Sequence, residues 1–274
     1  MDKVVVITGS TRGIGLGMAT AFLKQGCFVV ISGRSQASVD RVVEVLANSL
    51  PADSIAGIAC DVRDHAQVQQ LWDAACARFG RVDIWINNAG IAHPQMPLHA
   101  YPADTLSSVV ETNVIGMLNG IQVALHGMLA QEHGSLYNMH GLGSDGRKIR
   151  GLAVYGSTKQ GLRYLTDSLI QEMKGTPILV GSINPGMVAT ELLLNQFEDR
   201  PEEWEQAKRI FNILTDRVET VAPWLAEQVL KNQKHGASIR WMSPWKMMGR
   251  FLSAPFIHRS IVDQMSPGST SRET

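Results

Sequence analysis

The stretch "VVVITGSTRGIG" (residues 4–15) reads as a strand, a tight turn and the start of a helix. Residues 4–8 are β-branched throughout, the composition of a strand covered on both faces. Helical apolar spacing takes over from Ile14 to Gln25. Between them Gly9, Gly13 and Gly15 permit a tight turn, close approach of the backbone to a phosphate and close helix packing, with the helix N-terminus aimed at the anion. The spacing departs from G-x-G-x-x-G, and it is the position of the turn after the first strand of a βαβ unit that points to a nucleotide phosphate.

Working outward, apolar runs alternate with helical stretches. "FVVIS" (28–32), "SIAGIAC" (54–60), "VDIWIN" (82–87), "GSLYNM" (134–139) and "PILVGSIN" (177–184) read as strands. Helices are expected at about 36–50, 65–79, through 113–129, at 154–174, and over most of the remainder. This alternation specifies an α/β fold, a Rossmann-type doubly wound parallel sheet, as one domain over residues 1–265. The small, polar end at 266–274 is expected to be a disordered tail.

Composition narrows the function. The 274 residues are 45% hydrophobic and 18% charged, enough for a large core without a disulfide or metal. Lys plus Arg and Asp plus Glu number 25 each, so no net field draws the chain to nucleic acid. Cys27, Cys60 and Cys76 lack a C-x-x-C spacing and read as buried small hydrophobes in a reduced, cytoplasmic protein. Scattered histidines, among them His65, His93, His126 and His133, give no metal-ligand spacing. There are nowhere 18 consecutive apolar residues, so the chain is expected to be soluble or at most peripheral to a membrane.

The end of the second strand speaks to the cofactor. An NAD site expects an acidic residue there, whereas "SGRS" places Arg34 at that point, with Arg12 inside the glycine turn. Two guanidiniums suit a ribose 2′-phosphate, so NADPH is the expected cofactor.

In order along the chain stand the glycine turn, "CDVRD" with Asp61 and Val62, "NNAG" (87–90), "ETNVIG" with Asn113, Tyr155-x-x-x-Lys159 and "NPGMVATEL" (184–192). With these motifs the sequence resembles the short-chain dehydrogenase/reductase family from residue 3 to about 195. The resemblance implies cofactor contacts from Gly9, Ser10, Thr11, Arg12, Gly13, Ile14, Gly15, Arg34, Asp61, Val62, Asn88, Ala89, Gly90, Tyr155, Lys159, Pro185, Gly186, Val188 and Thr190. It implies Tyr155 as the proton donor to a carbonyl, Lys159 as its helper and ribose ligand, and Asn113 as support for a water chain. Residues four apart share a helix face, and an ammonium beside a phenol is expected to lower the tyrosine pKa. A non-catalytic nucleotide sensor would have no need to keep Asn113, Tyr155 and Lys159 together.

The family's catalytic serine commonly lies three residues after an asparagine ending the fifth strand and thirteen before the tyrosine. Counting from Asn138 reaches Gly141, and counting back from Tyr155 reaches Leu142. The nearest hydroxyl is Ser144, whose flanking glycines allow the loop to fold it back as carbonyl donor; His140 and the loop's backbone N–H groups are the competing readings.

The loop and the segment to about residue 250 are similar to the branch containing plant chlorophyll(ide) b reductases and their bacterial relatives. That resemblance implies reduction of the 7-formyl group of a chlorophyll b type tetrapyrrole, or of another bulky apolar carbonyl. The family places a helical lid at about 190–218, where Leu192, Leu193, Leu194, Phe197, Trp204, Phe211 and Leu214 suit either such a substrate or the core. "IRWMSPWKMMGRFLSAPFIHRSIV" (239–262) mixes aromatic residues, methionines and cations, fitting a subunit contact, in a homodimer or homotetramer, or a membrane surface.

Overall fold

The computed structural model describes residues 2–197, 201–263 and 265. The expected tail at 266–274 lies outside the described residues, as does part of the expected lid. Seven parallel strands form one sheet in the order β3-β2-β1-β4-β5-β6-β9. They are β1 (Val4–Ile7), β2 (Phe28–Gly33), β3 (Ile55–Ala59), β4 (Ile84–Asn87), β5 (Gly134–Met139), β6 (Ile178–Asn184) and β9 (Ser238–Arg240). The strands are apolar along their length because successive residues serve two cores. Val5, Ile7, Val29, Ile31, Ile84 and Ile86 pack on one side, with α1 (Gly13–Lys24), α2 (Gln36–Ala47) and α9 (Val218–Lys231). Val6, Val30, Trp85 and Leu136 face the other side, against α3 (His65–Phe79), α5 (Gly116–Ala130) and α6 (Ala153–Glu172).

The sheet order reverses between β1 and β4, opening a crevice at the carboxyl ends of the strands. A buried hydrogen-bond chain holds those ends in register. Trp85 Nε1 donates to Asn87 Oδ1 (2.7 Å), Asn87 Nδ2 to Asn138 Oδ1 (2.9 Å) and Asn138 Nδ2 to Thr166 Oγ1 (3.0 Å). With every buried polar group satisfied, the chain fixes β4, β5 and α6 relative to one another.

Three features depart from the sequence reading. The helix through Asn113 starts earlier, as α4 (Ala103–Val110), and reaches α5 through a π-helical turn, Glu111–Ile115. The stretch read as helical beyond residue 184 also holds β7 (Met187–Val188), β8 (Thr215–Asp216) and β9, strands too short for a period-2 pattern to show. Cys76 is half-buried, unlike Cys27 and Cys60.

The lid comprises α7 (Glu191–Leu194), a 3₁₀ turn (Asn195–Phe197) and α8 (Pro201–Leu214). Phe197, Trp204 and Phe211 stack on one another with ring centroids 5.4–5.5 Å apart, so these aromatics form the lid's own small core. Its far end is tied by Asp216, which receives Arg250 (2.7 Å), Arg259 (2.7 Å) and Trp241 Nε1 (2.5 Å). Asp216 belongs to β8, which pairs with β7, so this ion cluster also steadies the "PGMV" turn at the crevice.

Candidate active site

The glycine turn is built on side chains from the neighbouring strand. Thr8 Oγ1 accepts from the N–H groups of Asn88 (2.9 Å) and Ala89 (3.0 Å), while Asn88 Nδ2 donates to the carbonyls of Thr8 (2.9 Å) and Gly9 (3.0 Å). A Cβ on Gly15 would lie 2.5 Å from Asn88 Nδ2, so no other residue fits there. Two residues expected among the cofactor contacts bond within the protein here. The amide donors of Asn88 are spent on the turn, and Ser10 is fully buried, donating to Ile7 O (2.8 Å) and accepting from Ser32 N (2.9 Å). Both residues shape the turn from below.

Above the turn, the start of α1 has no side-chain cap and no acid in its first turn. Leu16 N makes the first bond, to Arg12 O, which leaves the N–H groups of Gly13, Ile14 and Gly15 without helical acceptors. Such a helix start favours an anion. Thr190 stands across from it, its methyl 3.6 Å from where a Gly13 Cβ would lie. Of the two cations expected beside a ribose phosphate, Arg34 is exposed and has no ion pair within 4 Å among the described residues, though its charge helps lower the Asp61 pKa, with Thr11 packed on Gly33 next to it. Arg12 is engaged differently, in a 2.6 Å ion pair with Glu191 at the start of the lid. Asp61 is held by Arg63, whose hydrogen bonds lower the carboxyl pKa, and Val62 is buried against Gly116. Ala89 lies against Gly9, Val188 is fixed by the β7–β8 pairing, and the turn after Pro185 closes by Gly186 N donating to Asn184 Oδ1 (3.0 Å).

Tyr155 and Lys159 share one face of α6 and are each 5% exposed. Asn113, in the π-turn, accepts from Ile91 N (2.8 Å) and donates to Ile91 O (2.9 Å) and Thr158 Oγ1 (3.2 Å). Its side chain thereby clamps the loop after "NNAG". A Cβ on Gly90 would lie 3.2 Å from Asn113 Oδ1 and 3.5 Å from Lys159 Nζ, so these residues form one cluster. Neither Tyr155 Oη nor Lys159 Nζ has a hydrogen-bond partner among the described residues. Tyr155 and Lys159, without hydrogen-bond partners among the described residues, stand beside an uncapped helix start and the exposed Arg34, an arrangement that fits a nicotinamide dinucleotide.

The electrostatics correct the sequence expectation. Burial pushes Tyr155 up to about 12 and Lys159 down to about 8. Desolvation is the cause of both shifts, with the ammonium 5.8 Å from the phenol ring centre. The tyrosine is therefore a fully protonated phenol at neutral pH.

The loop after β5 brings its backbone to the tyrosine. A Cβ on Gly141 would sit 2.9 Å from Tyr155 Oη and 3.4 Å from Lys159 Cε, so a side chain at that count would collide with the phenol. The N–H groups of Gly141, Leu142 and Gly143 have no backbone acceptor. Gly143 rests on Gly156, and Ser144 follows in a turn, its N–H bonded to Gly141 O (3.1 Å) and its carbonyl to Arg163. Ser144 is largely buried as a residue, and its hydroxyl has no hydrogen-bond partner among the described residues. His140 points elsewhere: Thr166 gives its proton to Leu162 O (2.7 Å), so His140 Nε2, 3.2 Å away, must donate to Thr166. Burial, then the charges of Lys159, Arg163 and Arg240, hold its pKa down to about 4.

A family model described as short chain dehydrogenase matches residues 3–201. The chain belongs to the short-chain dehydrogenase family. Members of this family are oxidoreductases that use a nicotinamide cofactor. The chain is 35% identical over 260 residues to the probable chlorophyll(ide) b reductase NYC1 of Arabidopsis thaliana, covering 89% of this chain and 51% of that protein. It is 37% identical over 230 residues to the chlorophyll(ide) b reductase NOL of Oryza sativa subsp. japonica, covering 82% and 66%. An uncharacterised oxidoreductase of Staphylococcus aureus is 34% identical over 194 residues, covering 70% and 80%. The chain thus spans about half the length of NYC1 and 66% of NOL. Among solved structures, an actinorhodin polyketide ketoreductase with NADPH superposes with a TM-score of 0.77 at 25% identity, covering 88% of this chain and 95% of that one. A 3-ketoacyl-(acyl-carrier-protein) reductase of Brucella melitensis with NADH gives 0.74 at 26%, covering 87% and 96%.

Sequence reasoning missed the residues that act at a distance. Thr158 and Thr166 are ordinary helical threonines until Asn113, Asn138 and His140 are folded against them. His93 was one scattered histidine among several; in the fold it is buried against the Tyr155 amide.

Proposed function

We propose that the chain reduces a carbonyl to an alcohol with NADPH, and that the carbonyl is the 7-formyl group of a chlorophyll b type tetrapyrrole, which becomes hydroxymethyl. The observation that carries the reading is the pair of Tyr155 and Lys159, largely buried residues whose polar tips have no hydrogen-bond partner among the described residues, against the bare backbone of Gly141. When bound, NADPH supplies the hydride that adds to the carbonyl carbon. Tyr155 gives its phenol proton to the carbonyl oxygen, and Lys159 holds positive charge beside it, which favours the phenolate left behind. Asn113 keeps the loop after Gly90 in place. Ser144, with an unused hydroxyl, orients the carbonyl, and the flanking loop amides are the alternative donors. The names of NYC1 and NOL supply the chemical class of the substrate. Similarity to the bacterial oxidoreductase supports a second reading, reduction of another bulky apolar carbonyl.

The preference for NADPH rests on Arg34, an unpaired cation where an NAD site would hold an acid. NADPH is expected to bind at least roughly tenfold tighter than NADH by fluorescence titration, with Arg34→Ala removing most of the difference. Equal affinities in the wild-type protein would remove the cofactor assignment. Assaying NADPH consumption with chlorophyll b and a panel of aromatic aldehydes and ketones separates the two substrate readings. We further assign the protein to the cytoplasm, as a homodimer or homotetramer.

A further inference from the structure

We propose that His93 is a positioning residue that caps the helix carrying Tyr155 and so sets where the phenol stands. The inference rests on the reading of Tyr155 as the proton donor. Helix α6 begins at Ala153 with no side-chain cap from Leu152, and its first intrahelical bond runs from Gly156 N to Leu152 O. The N–H groups of Ala153, Val154 and Tyr155 therefore need outside acceptors, and Tyr155 is itself buried. His93, 2% exposed, supplies one: its Nε2 lies 3.3 Å from Tyr155 N.

The proton positions follow from the partners. An amide can only donate, so Nε2 must carry a lone pair and the ring proton must sit on Nδ1. Nδ1 lies 2.8 Å from both Pro94 O and Tyr101 Oη, while Tyr101 passes its own proton to Gly151 O at 2.5 Å. Tyr101 also meets the imidazole edge to face, with centroids 4.5 Å apart. His93 is thus locked as one neutral tautomer.

The same loop reaches both sides of the cleft. Met96 N donates to Gly151 O (3.1 Å), just before α6, and Gln95 N donates to Gln196 O (3.3 Å), in the lid turn. Its beginning, Ile91, is clamped by Asn113. Tyr155 lies in the first turn of α6, where fraying starts, whereas Lys159 lies one turn deeper. Loss of the cap should therefore move the phenol and leave cofactor binding in place.

Two measurements test this without knowing the natural substrate. A long-range ¹H–¹⁵N spectrum of the wild-type protein at neutral pH should show His93 protonated on Nδ1 and bare at Nε2; a proton on Nε2 overturns the proposal. Comparing His93→Leu with His93→Gln, whose Oε1 can still accept, amide exchange over residues 150–158 should rise roughly tenfold in the first and return close to wild type in the second. NADPH affinity and Tm should stay near wild type in both. Turnover of chlorophyllide b, or of 4-nitrobenzaldehyde as a general carbonyl probe, should fall in the same order through kcat. Unchanged exchange in His93→Leu, or a loss that glutamine does not restore, overturns the proposal. Should His93→Leu not fold, Tyr101→Phe serves, with a smaller rise in exchange expected and none contradicting the cap. Retention of turnover by Tyr155→Phe would remove the acid role while leaving the His93 tautomer and exchange results standing.

Discussion

Gly141 stands where the family's usual count puts a serine, and the reason is spatial: the loop passes so close to Tyr155 Oη that a Cβ would lie 2.9 Å from it. Gly141→Ala should therefore cost roughly a hundredfold in kcat by displacing the phenol, with NADPH binding kept. Ser144→Ala should lower kcat by a similar factor if its hydroxyl holds the carbonyl, and a small effect would pass that role to the loop amides. His140 makes a different statement, about stability. Its pKa is about 4 in the fold against an ordinary 6.5, so the unfolded chain takes up a proton that the folded chain refuses between those values. The stability from a neutral His140 is complete above pH 6.5 and is lost as pH falls toward 4, by about 3 kcal/mol at most. The groups responsible besides burial are Lys159, Arg163 and Arg240, all cationic. Urea midpoints at pH 7 and 4.5 should diverge in the wild type and much less in His140→Gln; equal acid sensitivity in both would contradict the assignment.

At the scale of elements, α10 (Pro244–Ser253) is turned the opposite way from an ordinary surface helix. Its cations face inward, Arg250 onto Asp216 and Lys246 over the Trp241 ring at 3.1 Å, joined by Arg259 just beyond. Its apolar residues face outward, with Trp245 77%, Leu252 68% and the following Phe256 88% exposed. Exposed apolar residues of this kind are where the proposed homodimer or homotetramer would be tested first. Covering a Leu or Phe contributes about 1.5–3 kcal/mol, so Leu252→Asp with Phe256→Asp should convert an oligomer to monomer by sedimentation velocity. An unchanged mass, or a wild-type monomer that pellets with anionic vesicles, would contradict it. The sequence left this segment open because a period-3.6 pattern says which residues share a face and not which face points inward. The π-turn at Asn113 and the two- or three-residue strands β7, β8 and β9 were equally illegible, being set by long-range partners.

Across the whole molecule, the sheet was legible because Val4–Ile7 and its counterparts are buried on both faces and so apolar at every position. Tyr155 and Lys159 were legible because helical spacing alone puts them on one face. What was hidden depends on tertiary distance: Ser10 turns inward, Asn88 braces the glycine turn, Arg12 pairs with Glu191, and burial reverses the expected direction of the tyrosine pKa. The central claim is that this assembled crevice exists to let Tyr155 protonate a carbonyl. The most direct test is Tyr155→Phe, assayed for NADPH oxidation with chlorophyllide b and for NADPH binding by fluorescence. The account expects turnover to fall by roughly a thousandfold or more while NADPH affinity is unchanged. A Tyr155→Phe protein that retains wild-type turnover would contradict it.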